Sequence, residues 1–168
     1  KKTMLIDGDL RKPVIHKVFD GKNKIGLTHY LSGTEENYNN IIYPSSIDNL
    51  DLIYNGAIPP NPSELLGSGL MKEMLADLKE NYDVVLFDAP PILAVTDSVV
   101  LSNLMDQFIL VVRFGRTDKE SIKHSLNALA QVDTALTGIV FNDLNQKNSY
   151  YSKSDYSYHQ YYYNTEET

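Results

Sequence analysis

The sequence predicts an α/β fold in which helices flank a mostly parallel central sheet. Short runs of β-branched and apolar residues recur along the first 142 positions, and most are continuous rather than alternating. Continuous runs are typical of strands buried on both faces of a parallel sheet. Segments with helical periodicity separate several of these runs, which indicates a layered arrangement with right-handed crossovers. A chain of 168 residues is long enough for one domain with a real core.

Five strands and three helices are predicted in chain order. The predicted strands are Thr3–Ile6, Leu52–Tyr54, Val84–Phe87, Phe108–Val112 and Gly138–Phe141. The first predicted helix runs from Ser63 to Lys79, where apolar residues recur at Leu66, Leu70, Met74 and Leu78. Its weak points are Gly67 and Gly69, which each cost roughly 1 kcal/mol relative to Ala.

Two further helices follow the third and fourth predicted strands. A short helix is expected from Asp97 to Leu104. A longer one is expected over residues 118–132, with Thr117 as its cap and one apolar stripe formed by Ile122, Leu126 and Leu129. Ligands of open α/β sheets bind beyond the carboxyl ends of the strands, so residues at those ends are the first candidates for a site.

Tyrosine is concentrated at the C-terminal end of the chain. Seven of the twelve tyrosines fall within fourteen residues, namely Tyr150, Tyr151, Tyr156, Tyr158, Tyr161, Tyr162 and Tyr163. No Leu, Ile, Val, Met or Phe follows Leu144, so this segment has little apolar surface to bury and is predicted to be flexible. Accessible phenols are suitable acceptors for phosphate. We therefore predict a folded domain over residues 1–144 and a flexible tyrosine-rich tail over residues 145–168.

Composition excludes several classes of function. A formal charge of −7 and a pI near 5.0 argue against nucleic-acid binding, which needs a basic surface. The chain has no cysteine, so disulfides and thiolate metal sites are excluded. No apolar run approaches the length of about 18 residues that would indicate a transmembrane helix.

Carboxylates follow two of the predicted strands directly. Asp7 and Asp9 come after the first strand, and Asp88 ends the third. Because the carboxyl ends of parallel strands meet at one edge of a sheet, these side chains are expected to share a crevice. Oxygen ligands of this kind suit Mg²⁺ in nucleotide enzymes. The alternative is that these residues simply start turns after strands.

Four segments, taken together, resemble one protein family. Residues 4–13 (MLIDGDLRKP) resemble the Walker A′ motif of bacterial protein-tyrosine kinases, and residues 84–91 (VVLFDAPP) resemble their Walker B motif. Residues 58–66 (IPPNPSELL) resemble another segment of that family, and the tail resembles its C-terminal tyrosine cluster. The resemblance implies a P-loop NTPase-like fold and an ATP-dependent kinase of the capsule and exopolysaccharide type.

The resemblance also implies roles for individual residues. Asp7 would be the base that deprotonates the acceptor tyrosine, and Asp9 and Asp88 would hold Mg²⁺. Arg11 would stabilise the transferred phosphoryl group, or alternatively form a salt bridge with Asp7 or Asp9. Asn142 would contact the adenine of ATP, or alternatively form a turn.

Family membership further implies partners and a location. The seven tail tyrosines would be phosphorylated in trans within a ring-like homo-oligomer. A membrane-embedded activator would hold the kinase at the inner face of the cell membrane, in the cytoplasm, where it would regulate polysaccharide synthesis and export.

One motif of the family is missing from the sequence. The phosphate-binding loop G-x-x-x-x-G-K-[ST] normally lies on a strand and helix ahead of the Walker A′ strand, which here is preceded only by Lys1 and Lys2. We therefore expect a longer parent protein, weak ATP binding by this chain alone, and an exposed apolar edge where that central strand belongs. The alternatives are a partitioning or cell-division type of ATPase, which would not explain the tyrosine tail, and a non-catalytic scaffold unable to bind ATP.

Overall fold

The computed structural model describes residues 1–22 and 25–144. Within these residues the strands are β1 (Thr3–Asp7), β2 (Ile42–Pro44), β3 (Leu50–Ile53), β4 (Val84–Asp88), β5 (Phe108–Arg113) and β6 (Leu136–Asn142). The helices are α1 (Ile15–Val18), α2 (Leu27–Leu31), α3 (Pro62–Leu66), α4 (Gly69–Asn81), α5 (Asp97–Ser102) and α6 (Lys119–Ala130), with a 3₁₀ helix over Tyr38–Ile41. None of the helices described has the length and apolar character needed to cross a membrane.

The strands form a four-stranded sheet and a separate pair. The larger sheet has the order β2-β3-β1-β4, and β1 runs parallel to both β3 and β4. β5 and β6 form a parallel pair of their own. The predicted α/β fold with a mostly parallel sheet is confirmed, and all five predicted strands are present. Strand β2 was not predicted from the sequence. It is an antiparallel edge strand of three residues and ends in Pro44, which suits a sheet edge because proline has no N–H to donate.

The core lies around β1, whose side chains are covered on both faces. Met4 and Ile6 lie on one face and are fully buried, and Leu5 on the opposite face is partly buried against a second apolar cluster, as expected for a central parallel strand. The main apolar cluster joins them to fully buried side chains from the loop after β1 and from the helices, including Leu10, Leu27, Leu66, Met71, Met74 and Leu101. This packing holds the end of β1 in a fixed position.

The single helix predicted from Ser63 to Lys79 is wrong in its continuity. The structure contains α3 and α4 with a break at Gly67 and Ser68. Gly67 ends α3, and the Ser68 hydroxyl accepts a hydrogen bond from the backbone N–H of Met71 at 3.2 Å, which starts α4 afresh. The break separates Leu66 from the rest of the predicted stripe, and within α4 the buried side chains are Met71, Met74, Leu75 and Leu78. Leu70, predicted to lie in the stripe, is exposed in the first turn of α4.

The helix predicted over residues 118–132 is confirmed as α6, with a different cap. The carboxylate of Asp118 accepts the N-terminal hydrogen bond from the N–H of Ser121 at 2.7 Å. Thr117 instead accepts from the N–H of Arg113 at 3.0 Å. The predicted apolar stripe is only partly right, because Leu129 is buried but Leu126 is exposed.

A gap separates β4 from β5, and its borders are apolar. Within the residues described, these two strands belong to different sheets. Large side chains at the gap remain exposed: Leu86 at 50%, Ile109 at 54% and Val111 at 61%. A cavity of about 660 Å³ lies between residues of β4, the segment after it and β5. The predicted exposed apolar edge is therefore present.

Candidate active site

The site is built where β1 and β4 end side by side. In the parallel register Asp7 is the partner of Asp88, and the N–H of Gly8 donates to the carbonyl of Asp88 at 2.8 Å. The first carboxylate of the 4–13 motif therefore lies next to the carboxylate of the 84–91 motif, as the sequence analysis expected.

Asp7 is a buried carboxylate with one oxygen unpartnered. Its side chain is inaccessible to solvent, and Oδ2 accepts a hydrogen bond from the N–H of Ile15 at 3.0 Å. Oδ1 is buried without a hydrogen-bond partner. Burial raises the pKa of Asp7, and the negative charges of Asp88 and Asp9 raise this pKa further against the lowering effect of the Ile15 N–H. Such a group is poised to take up a proton or a cation.

Asp88 shares this electrostatic environment. Its pKa is raised by burial and by the charge of Asp9. Since neighbouring carboxylates disfavour each other's ionisation, the three acids form a local concentration of negative charge. The structure thus brings Asp7, Asp9 and Asp88 into one electrostatic neighbourhood.

Asp9 also shapes the loop that follows β1. Its Oδ1 accepts hydrogen bonds from the N–H of Arg11 at 3.1 Å and the N–H of Lys12 at 2.9 Å. This is the turn-forming role that the sequence analysis kept as the alternative. The turn fixes the backbone so that the Asp9 carboxylate and the Arg11 side chain are held in relation to each other.

The carboxylates fit a partial magnesium site. In residues 1–22 and 25–144, no three His, Cys, Asp or Glu side chains are arranged to hold a metal ion by themselves. Mg²⁺, however, is commonly bound by one or two carboxylates that share it with phosphate oxygens and water. Asp9 and Asp88, with their charges close enough to interact, suit that incomplete ligand set.

Arg11 pairs with a residue that the sequence analysis did not select. Its Nε and Nη2 donate to the two carboxylate oxygens of Asp97 at 2.9 and 3.1 Å. A salt bridge to Asp7 or Asp9 was expected as the alternative role of Arg11, and the observed ion pair goes to Asp97 instead. The turn at Asp9 directs the Arg11 side chain across to α5. Asp97 had been considered only as the start of a helix, because nothing local links positions 86 residues apart.

Asn142 lies at the end of β6 and takes part in a turn. Its side-chain oxygen accepts from the N–H of Asp143 at 2.8 Å, and its carbonyl accepts from the N–H of Phe114 at 2.9 Å. The Asp143 carboxylate in turn pairs with Arg113 at 2.7 Å. These contacts match the turn role, and they place Asn142 on the β5–β6 pair rather than on the sheet that carries the carboxylates. The seven tail tyrosines lie outside the described residues.

Comparison with known proteins identifies relatives of high similarity. The chain is 42% identical over 142 residues to the tyrosine-protein kinase YwqD of Bacillus subtilis (strain 168), covering 84% of this chain and 60% of YwqD. It superposes on the kinase domain of the Escherichia coli tyrosine kinase ETK with a TM-score of 0.80 and 35% identity, covering 84% of this chain and 55% of that one. For the VpsO kinase domain the TM-score is 0.80 and the identity 36%, covering 86% and 71%.

Other comparisons are less specific. No protein-family model matches the chain. The septum site-determining protein MinD from Pyrococcus horikoshii superposes with a TM-score of 0.62 at 19% identity, covering 83% of this chain and 56% of that one, which shows a shared fold alone. The chain spans about 60% of the length of YwqD. The motifs, the paired strand-end carboxylates and the kinase relatives agree: the chain belongs to the family of bacterial tyrosine-protein kinases.

Proposed function

We propose that the protein containing this chain is an ATP-dependent tyrosine kinase that phosphorylates the C-terminal tyrosine cluster of a neighbouring copy. The observation that carries the proposal is the pairing of Asp7 with Asp88 at adjacent strand ends, where the pKa of each carboxyl is raised. The tyrosine cluster at positions 150–163 supplies acceptors within the same chain. Kinase relatives that are 42% and 36% identical to this chain over the aligned residues support the assignment.

Each carboxylate has a distinct part in the proposed mechanism. ATP would supply the phosphoryl group and leave as ADP, and Mg²⁺ would offset the negative charge on the phosphate oxygens. Asp9 and Asp88 would hold the ion, and Arg11 would offer N–H donors to the phosphate oxygens. A phenol has a pKa near 10, so the acceptor hydroxyl needs a base, and the unpartnered Oδ1 of Asp7 is the atom we assign. Because Asp7 is covered in this structure, the approach of the tyrosine must open a path to it.

The gap between β4 and β5 suits a further parallel strand. Its apolar borders at Leu86, Ile109 and Val111 offer unpaired strand edges beside the carboxylates, where a phosphate-binding loop would be needed. We propose that a longer form of the protein fills this gap with the strand that carries that loop. We predict that residues 1–168 alone bind ATP with a dissociation constant above the low-micromolar range, because this sequence lacks the lysine and the hydroxyl of the phosphate-binding loop. Isothermal titration in the presence of Mg²⁺ tests this, and a low-micromolar dissociation constant would support a self-sufficient site.

Phosphorylation of the tail by a neighbouring copy is tested by mixing two variants of the full-length protein. In the first, all seven tail tyrosines are replaced by Phe, which leaves the site intact but removes the acceptors. In the second, Asp88→Asn disables the site and keeps the tail. Neither variant alone is expected to give the main phosphotyrosine signal. Their mixture should restore the signal on the Asp88→Asn chain, which a tag of different mass identifies.

The outcomes separate the proposal from its rivals. Undiminished labelling of the Phe variant would show that the cluster is not the principal acceptor. Absence of signal in the mixture, with an active wild type, would contradict transfer between copies. A simple ATPase would hydrolyse ATP equally with either tail and give no phosphotyrosine.

The proposed cellular role is based on the same similarity to tyrosine kinases. One relative, 37% identical over 147 residues, is named a putative tyrosine-protein kinase in the cps region of Klebsiella pneumoniae. We propose that this protein regulates capsule or exopolysaccharide export from the cytoplasmic face of the membrane, together with a membrane-embedded activator. Unchanged polysaccharide output in cells that carry only the Asp88→Asn form would contradict this role.

A further inference from the structure

The two partners of the ion pair between Arg11 and Asp97 differ in their exposure to solvent. The Asp97 side chain is 0% exposed and that of Arg11 is 41% exposed, so the carboxylate is buried while part of the guanidinium faces solvent. Two of the five guanidinium N–H donors are used in the pair, through Nε and Nη2. The remaining donors lie on the solvent-accessible side of the guanidinium, whose other edge is held by Asp97.

Asp97 also contacts a third segment of the chain. The hydroxyl of Ser63 donates to Oδ1 of Asp97 at 2.6 Å. Ser63 belongs to the IPPNPSELL segment of residues 58–66, a motif for which the proposed mechanism has no use. Helix α3 packs closely on α5, since a Cβ added to Gly67 would lie 3.3 Å from Cγ1 of Val100. One buried carboxylate therefore ties together the loop after β1, the segment of residues 58–66 and helix α5.

These contacts restrict a side chain that would otherwise be mobile. A free Arg side chain has many accessible rotamers, and a bidentate carboxylate removes much of that freedom before a ligand arrives. Burial alone would raise the pKa of Asp97, yet hydrogen bonds from Arg11 and Ser63 hold this pKa below its ordinary value. The carboxylate is thus kept charged and able to hold the guanidinium.

We propose that Asp97 is a positioning residue for phosphoryl transfer, acting through Arg11, and that Ser63 orients Asp97. This inference depends on the proposed kinase function. With its inner edge held by Asp97, the guanidinium presents its free donors where the phosphate oxygens of the transferred group would lie. A separate contact links Arg11 to the site, since its backbone N–H donates to the Asp9 carboxylate. Preorganised donors stabilise a transition state without having to be reoriented during the reaction.

The test is a double-mutant cycle on kcat in the full-length protein. The variants are Asp97→Asn, Arg11→Ala and the two combined, with phosphorylation of the tail as readout. If Asp97 acts through Arg11, each single change should lower kcat by roughly 10- to 100-fold, with a smaller effect on the KM for ATP. The combined variant should be no slower than Arg11→Ala. Ser63→Ala, a milder change, should lower kcat severalfold in the wild type and have no effect in the Arg11→Ala background.

A surface ion pair provides the matched control. Lys79 and Asp106 also lie 2.9 Å apart, with side chains 43% and 80% exposed, and neither belongs to the site. Asp106→Asn should leave kcat unchanged, and thermal unfolding of every variant verifies that the fold is retained. If Asp97→Asn fails to fold, the Ser63→Ala comparison decides the question.

The outcomes distinguish this inference from the proposed function. An active wild type in which Asp97→Asn retains full kcat, or in which the two losses multiply in the combined variant, would overturn the positioning role alone. A full-length wild type that forms no phosphotyrosine at any concentration of Mg²⁺ and ATP would overturn the kinase proposal, and this inference with it.

Discussion

Replacing Asp7 by Asn is expected to abolish most tyrosine phosphorylation while making the nucleotide-free protein more stable. Loss of a general base typically costs about 10²–10⁴-fold in rate. The stability gain arises because the Asp7 carboxylate is buried next to the charges of Asp88 and Asp9, which raises its pKa. An Asn at this position keeps an oxygen that can accept from the N–H of Ile15 and removes the charge. A rise of about 2–4 °C in the midpoint of thermal unfolding corresponds to about 1 kcal/mol for a protein of this size.

The pH dependence of this gain has a defined sign. A carboxyl with a raised pKa binds its proton more tightly in the folded state, so its contribution to stability falls as the pH rises above the ordinary value of 3.8. The wild type carries this cost at neutral pH. The cost diminishes as the pH falls towards the ordinary value of 3.8, so the advantage of Asp7→Asn should be much smaller at pH 4 than at pH 7.

An exposed carboxylate supplies the control for this prediction. Asp48 lies in an exposed loop, and Asp48→Asn should change neither the unfolding midpoint nor the rate. Scanning calorimetry at pH 7 and pH 4, without nucleotide or Mg²⁺, gives the stability comparison, and phosphotyrosine formation by the full-length variant gives the activity. Equal or lower stability of Asp7→Asn at pH 7 would contradict the expectation that the buried charge of Asp7 destabilises the folded protein.

Replacing Leu10 by Ala is expected to destabilise the protein strongly and to slow the reaction. Leu10 is fully buried in the main core cluster and lies between Asp9 and Arg11 in the loop after β1. Truncation of a buried Leu to Ala leaves a cavity and lowers the free energy of unfolding by about 2–5 kcal/mol. The loop would also lose its anchor, so the carboxylate and the guanidinium on either side would be held less firmly.

Leu70 offers the same substitution at an exposed position. Leu70→Ala in α4, where the residue is 36% exposed, should lower the free energy of unfolding by about 1 kcal/mol, clearly less than Leu10→Ala. Denaturant titration of both variants measures the difference directly. Similar losses from the two substitutions would mean that Leu10 does not anchor the loop as its burial indicates.

Much of the fold follows from patterns that are local in sequence. The run from Thr3 to Ile6 predicted a central strand because continuous apolar residues require burial on both faces. The structure buries Met4 and Ile6 completely on one face and packs Leu5 against a second apolar cluster on the other. The pairing of Asp7 with Asp88 was equally predictable, since parallel strands deliver their carboxyl ends to one edge.

Local patterns failed where two effects compete or where a signal is absent. The stripe through Leu66, Leu70 and Met74 favoured one helix, but Gly67 ends α3 and the capping hydroxyl of Ser68 begins α4, so one local signal prevailed over another. Strand β2 was too short to leave a periodic signal, and it is defined by its antiparallel pairing with β3, a contact that tertiary structure supplies.

The sequence by itself determined the fold class, the kinase motifs and the acidic strand ends, because each depends on residues within a few positions of one another. The tertiary structure alone revealed the pairing of Arg11 with Asp97 and the contact of Ser63 with the same carboxylate. Such contacts join distant parts of the chain, and which partner a charged side chain selects depends on geometry and burial that no local pattern encodes.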